Sequence, residues 1–266
     1  MKGARATPRL VFGASVTPGE RVLPEEVAIA LSFNGTTQAV MMATPADLED
    51  FGVGFALTEG IARPAEILSV EVVEVPRGRD VQVWLKPEAE ARLAARRRVM
   101  AGPVGCGLCG IDSIDQALRE VPTVAPNGFR MTPSQVLQAV ADLPGEQRLH
   151  DATRAVHGAA FWNGRVVLAR EDVGRHNALD KLVGSMVRTG TQPVGAVVLT
   201  SRVSTDMVQK VAMLGAPMII AVSAPTVAAV ELAEAAGITL VALARAERFE
   251  VFSHTDRIVT EVAHVG

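Results

Sequence analysis

The C-terminal half of the chain limits the fold most. Apolar runs rich in Val and Ile fall at 156–162, 165–170, 195–200, 217–222 and 238–243, and helical patterns lie near 175–188, 204–214 and 226–236. Strands that are apolar on both faces must be covered on both, and segments of this length between them are crossover helices. The expectation is an α/β fold built on a mostly parallel sheet, with its ligands at the carboxyl ends of the strands.

The first half reads differently, as short strands around one or two helices. Leu10-Val11-Phe12, Val27–Leu31 and Gln38–Met42 are β-like, and Asn34-Gly35 signals a hairpin. Thr44-Pro45, with Asp47 and Glu49 behind it, predicts a helix opening there and running to Glu59 or Gly60. Strands follow at 69–75 and 80–85 with a turn at Arg77–Asp80. A helix over 87–98 has its acids first and bases last, which suits the macrodipole. A short helix at Ile111–Leu118 and an irregular connector at Val121–Gly128 mark a boundary between an N-terminal β-rich domain, 1–120, and a C-terminal α/β domain, 121–266. Thr132-Pro133 starts a further helix.

Composition excludes several functions. With 266 residues, 48% of them hydrophobic and 21% charged, the chain can bury a proper core. A net charge of -3 and only 8 Phe, 2 Trp and no Tyr give neither a basic surface nor a stacking platform for nucleic acid. No apolar run is long enough to span a bilayer, and Met1–Gly13 is too polar for a secretory signal, so the expected location is cytoplasmic, away from membranes. In that reducing compartment the only two cysteines, Cys106 and Cys109, point to catalysis or metal binding rather than a structural disulfide.

Both thiols sit in Gly105-Cys106-Gly107-Leu108-Cys109-Gly110, a pliable loop presenting sulfur. The spacing fits a redox or sulfur-transfer dithiol, half of a metal site, or two reduced thiols of no consequence. Arg92, Arg96, Arg97 and Arg98 precede it. They either face solvent at a helix end or lower the thiol pKa and meet an anionic partner.

The strand-to-helix turns of the second half carry more polar residues than capping demands. In Glu171–Lys181, Arg175 and His176 fall in the first helical turn, where the dipole disfavours cations unless an anion binds; the alternative is a local salt bridge from Glu171 or Asp172 to Arg175. Thr200–Asp206, with Ser201, Arg202 and Ser204, has the ingredients of a phosphate site or an ordinary cap, and Ser223–Thr226 reads as capping alone. His157 reads as a packed strand residue, or with His176 as part of a Cys2His2 zinc site. There is no P-loop and no zinc-deaminase signature.

Together Gly105–Gly110, His157-Gly-Ala-Ala160, Glu171–Lys181, Ser201-Arg-Val-Ser204 with Met207-Val-Gln-Lys210, and Ala221-Val-Ser-Ala224 resemble the FdhD family, the sulfur carriers that formate dehydrogenases require. The likeness runs from about residue 20 to the C-terminus, with one departure: Pro103-Val104 stands where Arg-Thr commonly precedes the cysteine block. The resemblance implies a cytidine-deaminase-like three-layer C-terminal domain beside a smaller β-rich one, and a homodimer. It implies sulfur taken as a persulfide from a cysteine desulfurase and delivered to the bis(molybdopterin guanine dinucleotide) molybdenum cofactor, for formate dehydrogenase as recipient. It places the persulfide on Cys106 with Cys109 beside it, and the cofactor, or GDP as its analogue, on Leu243-Ala244-Arg245-Ala246-Glu247-Arg248. Arg175 and Arg202 would join Arg245 and Arg248 around the phosphates, and no tightly bound metal is expected.

Overall fold

A computed structural model describes residues 2–99 and 120–259, with side chains omitted for 95–99. Cys106, Cys109, Arg96–Arg98 and the helix expected at 111–118 lie outside what is described. The strands are β1 (Ala4–Phe12), β2 (Val16–Pro24), β3 (Val27–Phe33), β4 (Thr36–Ala43), β5 (Ile67–Val75), β6 (Gly78–Leu85), β7 (His157–Trp162), β8 (Val166–Asp172), β9 (Ala196–Leu199), β10 (Met218–Ala221), β11 (Thr239–Arg245) and β12 (Arg248–Ser253). The helices are α1 (Leu48–Thr58), α2 (Pro87–Val99), α3 (Pro133–Asp142), α4 (Arg148–Thr153), α5 (Arg175–Arg188), α6 (Thr205–Leu214) and α7 (Val227–Ala235).

The second half is a six-stranded sheet in the order β12-β11-β10-β9-β7-β8. Its centre, β9-β10-β11, is parallel, as the strand and helix alternation requires. The flanks are antiparallel, because β7–β8 and β11–β12 are hairpins whose short turns cannot return the chain in the same direction. Since β9, β10 and β11 step in one direction, right-handed crossovers place α6 and α7 on the same face. Alternation of side chains then divides the core. Val197, Leu199, Ile219 and Leu240 join α5, α6, α7 and Val53 and Leu57 of α1, whereas Val198, Ile220 and Val241 pack under α3.

The first half has a four-stranded sheet, β4-β3-β6-β5, and a separate hairpin, β1-β2. Asn34 and Gly35 both adopt positive φ, as the β3–β4 turn demands. Ile29, Leu31, Val81 and Val83 point from this sheet toward Phe51 and Phe55 of α1 and Ala89 and Leu93 of α2. α1 therefore serves both cores, and it crosses α5 with no side chain between them. A Cβ on Gly54 would stand 1.7 Å from the Asp180 carbonyl oxygen, and one on Gly184 would stand 1.8 Å from that of Asp50.

The structure corrects the expected start of α1. Thr44 and Pro45 are not its cap and first residue; the helix opens at Leu48 behind Asp47, which has a left-handed backbone. Thr44 is buried instead, its N–H donating to Asp172 Oδ2 at 3.0 Å and its hydroxyl accepting from Val173 N–H. A tertiary partner far along the chain outweighs the local capping signal.

Candidate functional site

All the loops that the sheet geometry singles out lie on one edge. β9, β10 and β11 end there. β7 begins there, with Ala159 opposite Leu199, and β8 ends there, with Asp172 opposite His157. Backbone bonds stitch the loops together: Val203 N–H donates to Ala224 O at 3.2 Å, Thr226 N–H to Val203 O at 3.0 Å and Leu243 N–H to Ser223 O at 3.2 Å. Gly158 N–H donates to Thr200 Oγ1 at 2.9 Å, joining β7 to the same seam.

The dense block Glu171–Lys181 divides into buried and surface members. Asp172 is fully buried and accepts from Lys181 Nζ at 2.5 Å, from Gly174 N–H at 2.8 Å and from Asn177 Nδ2 at 3.0 Å. Lys181 also donates to Thr44 O, and Asn177 to Met42 O, so this knot fastens β4 to α5. Burial pushes the Lys181 ammonium down, with Asp172 opposing it. Asp180 takes Lys210 Nζ at 2.9 Å and the Thr58 hydroxyl at 2.6 Å. Burial disfavours the charge on Lys210, but Asp180 and Glu59 together hold its pKa above the ordinary lysine value. Glu171 accepts from Leu149 and His150 N–H, both at 2.7 Å, at the start of α4, and burial still raises its pKa.

Neither acid therefore pairs with Arg175, and the local salt bridge is replaced by long-range ones. Arg175 and His176 remain half-buried in the first turn of α5, behind Gly174, which has no side chain to cap it. His176 Nε2 forms an ion pair with Asp206 in the first turn of α6. Burial pushes Asp206 up, but the bond and charge of His176 prevail and hold it well below the usual carboxylate range. His157 is half-buried, and burial, then the charges of Arg175, His150 and His176, lower its pKa against the pull of Asp172. In sequence His157 reads as a packed residue and Asp206 only as part of a turn; that His157 lies within reach of the charges of Arg175 and His176 depends on β7 running antiparallel to β9.

At the second loop, Ser201 is buried and donates to Arg202 O at 3.0 Å, while Arg202 is exposed. Ser204 occupies the N-cap of α6, yet its side chain makes no capping bond. Thr226, by contrast, caps α7 by accepting from Ala229 N–H at 3.2 Å, as capping alone requires. In the third loop the pairing of β11 with β12 is irregular between Ala242 and Arg245, and Leu243 has φ of 51, a strained value for a bulky residue. Ala244 is buried, and Arg245, Ala246, Glu247 and Arg248 form the exposed tip. Arg175, Arg202, Arg245 and Arg248 have no ion-pair partner among the described residues. Those residues contain no cluster of three or more His, Cys, Asp or Glu able to hold a metal ion, and no helix long and apolar enough to cross a membrane.

A mixed α/β sheet whose carboxyl edge gathers arginines unpaired among the described residues, imidazoles and two helix N-termini without side-chain caps has the chemistry of a site for an anionic, phosphate-bearing ligand. The FdhD/NarQ family profile matches residues 24–259, and the chain belongs to that family. It is 55% identical over 245 residues to "Sulfur carrier protein FdhD" of Agrobacterium fabrum, covering 91% of this chain and 90% of the relative. It is 46% identical to the protein of the same name from Bordetella petrii, covering 93% and 90%. Among solved structures it is similar to a protein of Desulfotalea psychrophila assigned as a formate dehydrogenase accessory protein. The TM-score there is 0.77 at 27% identity, over 96% of this chain and 99% of that one.

Proposed function

We propose that this protein is a sulfur carrier serving formate dehydrogenase. It accepts sulfur as a persulfide on Cys106 from a cysteine desulfurase and hands it to a bis(molybdopterin guanine dinucleotide) molybdenum cofactor held on the carboxyl edge. The observation that carries this reading is the pairing of a family match spanning the cysteine loop with an edge of arginines that no carboxylate among the described residues neutralises. In the first step the Cys106 thiolate attacks the outer sulfur of the donor persulfide, and the donor leaves as a thiolate. Cys109, as the assisting thiol, can attack Cys106 and expel the outer sulfur as sulfide, leaving a Cys106–Cys109 disulfide, so that electrons balance. On the edge, Arg175 and Arg202 stand at helix N-termini where phosphate oxygens are favoured. Arg245 and Arg248 add charge at the strained bulge, and GDP is the simplest analogue of the ligand. Two copies of the chain form the working assembly, in the cytoplasm.

Intact-protein mass spectrometry after incubation with a cysteine desulfurase and cysteine tests the chemistry. Wild type should gain about one sulfur atom, reversible by reductant, and Cys106→Ala should gain none. If wild type takes up no sulfur, and its thiols react with alkylating reagents only after a chelator is added, the loop is a metal site and the reading fails.

A further inference from the structure

The β1–β2 hairpin precedes the family match, which begins at residue 24, and the function above makes no use of it. Its strands pair along their whole length, from Ala4 opposite Pro24 to Phe12 opposite Val16, yet every residue from Pro8 to Leu23 is exposed. A two-stranded ribbon this exposed is marginal in water, so its sequence should show what it is built to meet. The register sorts it into two unlike faces. Residues opposite one another share a face, which puts Pro8, Leu10, Phe12, Val16, Pro18 and Val22 on one side, interrupted only by Glu20. Arg5, Arg9 and Arg21 fall on the other. The apolar side is bare, with Leu10 60% and Phe12 76% exposed.

The same chain carries a second uncovered apolar surface. α1 and α2 cover one face of the sheet β4-β3-β6-β5, and the opposite face has no helix on it among the described residues. The register places Val40, Met42, Trp84 and Val73 there, 63%, 52%, 38% and 38% exposed, around the small residues Ala28 and Ala30, with Asp80, Gln82 and Glu71 on the same face. The hairpin does not cover this face in its own chain. Glu25 N–H donates to the carbonyl of buried Gly3 at 2.8 Å, closing the base of the arm, and β2 runs beside α4 of its own chain.

We infer that the β1–β2 arm of one copy lies with its apolar face on the outer face of the β4-β3-β6-β5 sheet of a second copy, the exchange being reciprocal about a two-fold axis. Each copy then supplies one donor and one acceptor, and closed symmetry satisfies both. Charge agrees. Lys2, Arg5, Arg9 and Arg21 against Glu20 give residues 1–24 a net +3, so in a chain of net -3 the remainder carries -6. Size agrees as well. Two strands of nine residues present a face of about 30 by 10 Å. Two arms on two sheets hide four such faces, about 1,200 Å² in all, which reaches the lower range of stable interfaces.

This inference rests on the two-copy assembly proposed above, and one set of measurements separates them. Sedimentation equilibrium is run on the full chain, on Leu10→Asp/Phe12→Asp and on Val40→Asp/Met42→Asp, with circular dichroism as the check on folding. All four positions are exposed, so neither pair burdens the fold of the single copy. Wild type should sediment at twice the 28.0 kDa chain mass. Either variant should dissociate at a concentration at least about tenfold higher, because it buries carboxylates on an apolar face. Trp84 emission should shift to the red as the copies part. A monomeric wild type overturns both the assembly and the exchange. A dimer that either variant leaves intact overturns the exchange alone, since another surface then joins the copies.

Discussion

The α1–α5 crossing permits a sharp test of how the two halves are joined. In Gly184→Ala the new methyl would stand 1.8 Å from the Asp50 carbonyl oxygen, whereas ordinary contact begins at 3.4 Å. The obstacle is backbone, so no side chain can swing away, and the helices must part by roughly 1.6 Å. That separation opens gaps around Val53, Leu57, Leu182 and Val183 in the shared core. It also stretches the bonds from Asp50 to Arg170 and Arg188 and from Asp180 to Thr58. Overpacking typically costs about 1–3 kcal/mol. A rigid clash at a crossing that both cores share belongs at the top of that range, about 3 kcal/mol. At about 2–4 °C per kcal/mol for a chain of this size, Tm should fall by about 6–12 °C. Gly145→Ala is the control, since nothing lies within 4 Å of its added methyl and its φ is not positive. Thermal unfolding followed by circular dichroism reads both. A Gly184→Ala protein melting within about 2 °C of wild type would refute the close crossing.

Three further outcomes follow from the buried charges and the edge. Lys210→Met leaves Asp180 buried without its cation and should cost about 3–5 kcal/mol in urea unfolding, while Lys210→Met with Asp180→Leu should cost less than the single change. His157 has a lowered folded pKa, so its contribution is complete above the unfolded value of about 6.5 and is lost as pH falls through the folded value. His157→Gln should therefore flatten the decline in stability below pH ~6.5, measured as urea midpoints across pH. Arg175→Ala and Arg202→Ala should each weaken GDP binding by about tenfold in calorimetry with little change in Tm, since neither arginine has an ion-pair partner among the described residues.

How much of this was legible from residues alone depended on the range of the interactions. The parallel centre could be read from Val and Ile runs spaced by helical periods, and the β3–β4 turn from Asn34-Gly35, because those signals are local. Thr226 capping α7 was equally local. The block Glu171–Lys181 was visible as unusual, but what each member does was not. Asp172 and Lys181 spend their charges on one another and on Thr44, 137 residues before Lys181. Asp180 spends its charge on Lys210, whose register with α5 only the folded sheet establishes. The β2 strand was missed because Thr17-Pro18-Gly19-Glu20 lacks an apolar alternation of its own, and its apolar face emerges only when Val16, Pro18 and Val22 are set against Phe12, Leu10 and Ala6.

Covalent length then connects the two halves of the proposed chemistry. α2 is held on the first core through Ala89 and Leu93 and through Arg92, which donates to Glu66 Oε2 at 2.6 Å. Past the undescribed stretch, Val124 N–H donates to Ala236 O at 2.8 Å, just beyond α7 and just before β11 begins. This second anchor is therefore at the amino end of the parallel strands, opposite the edge that collects Arg175, His176 and Arg202. β9 and β10 are four residues long, so the sheet is only about 13 Å deep at its centre. Residues 100–119 can span at most about 66–72 Å when extended. Chain length thus allows Cys106 to reach around the sheet to the arginine edge, and equally to extend away from it. Loading from a separate donor and delivery on the edge, as proposed above, are steps at two places, and covalent length is compatible with both.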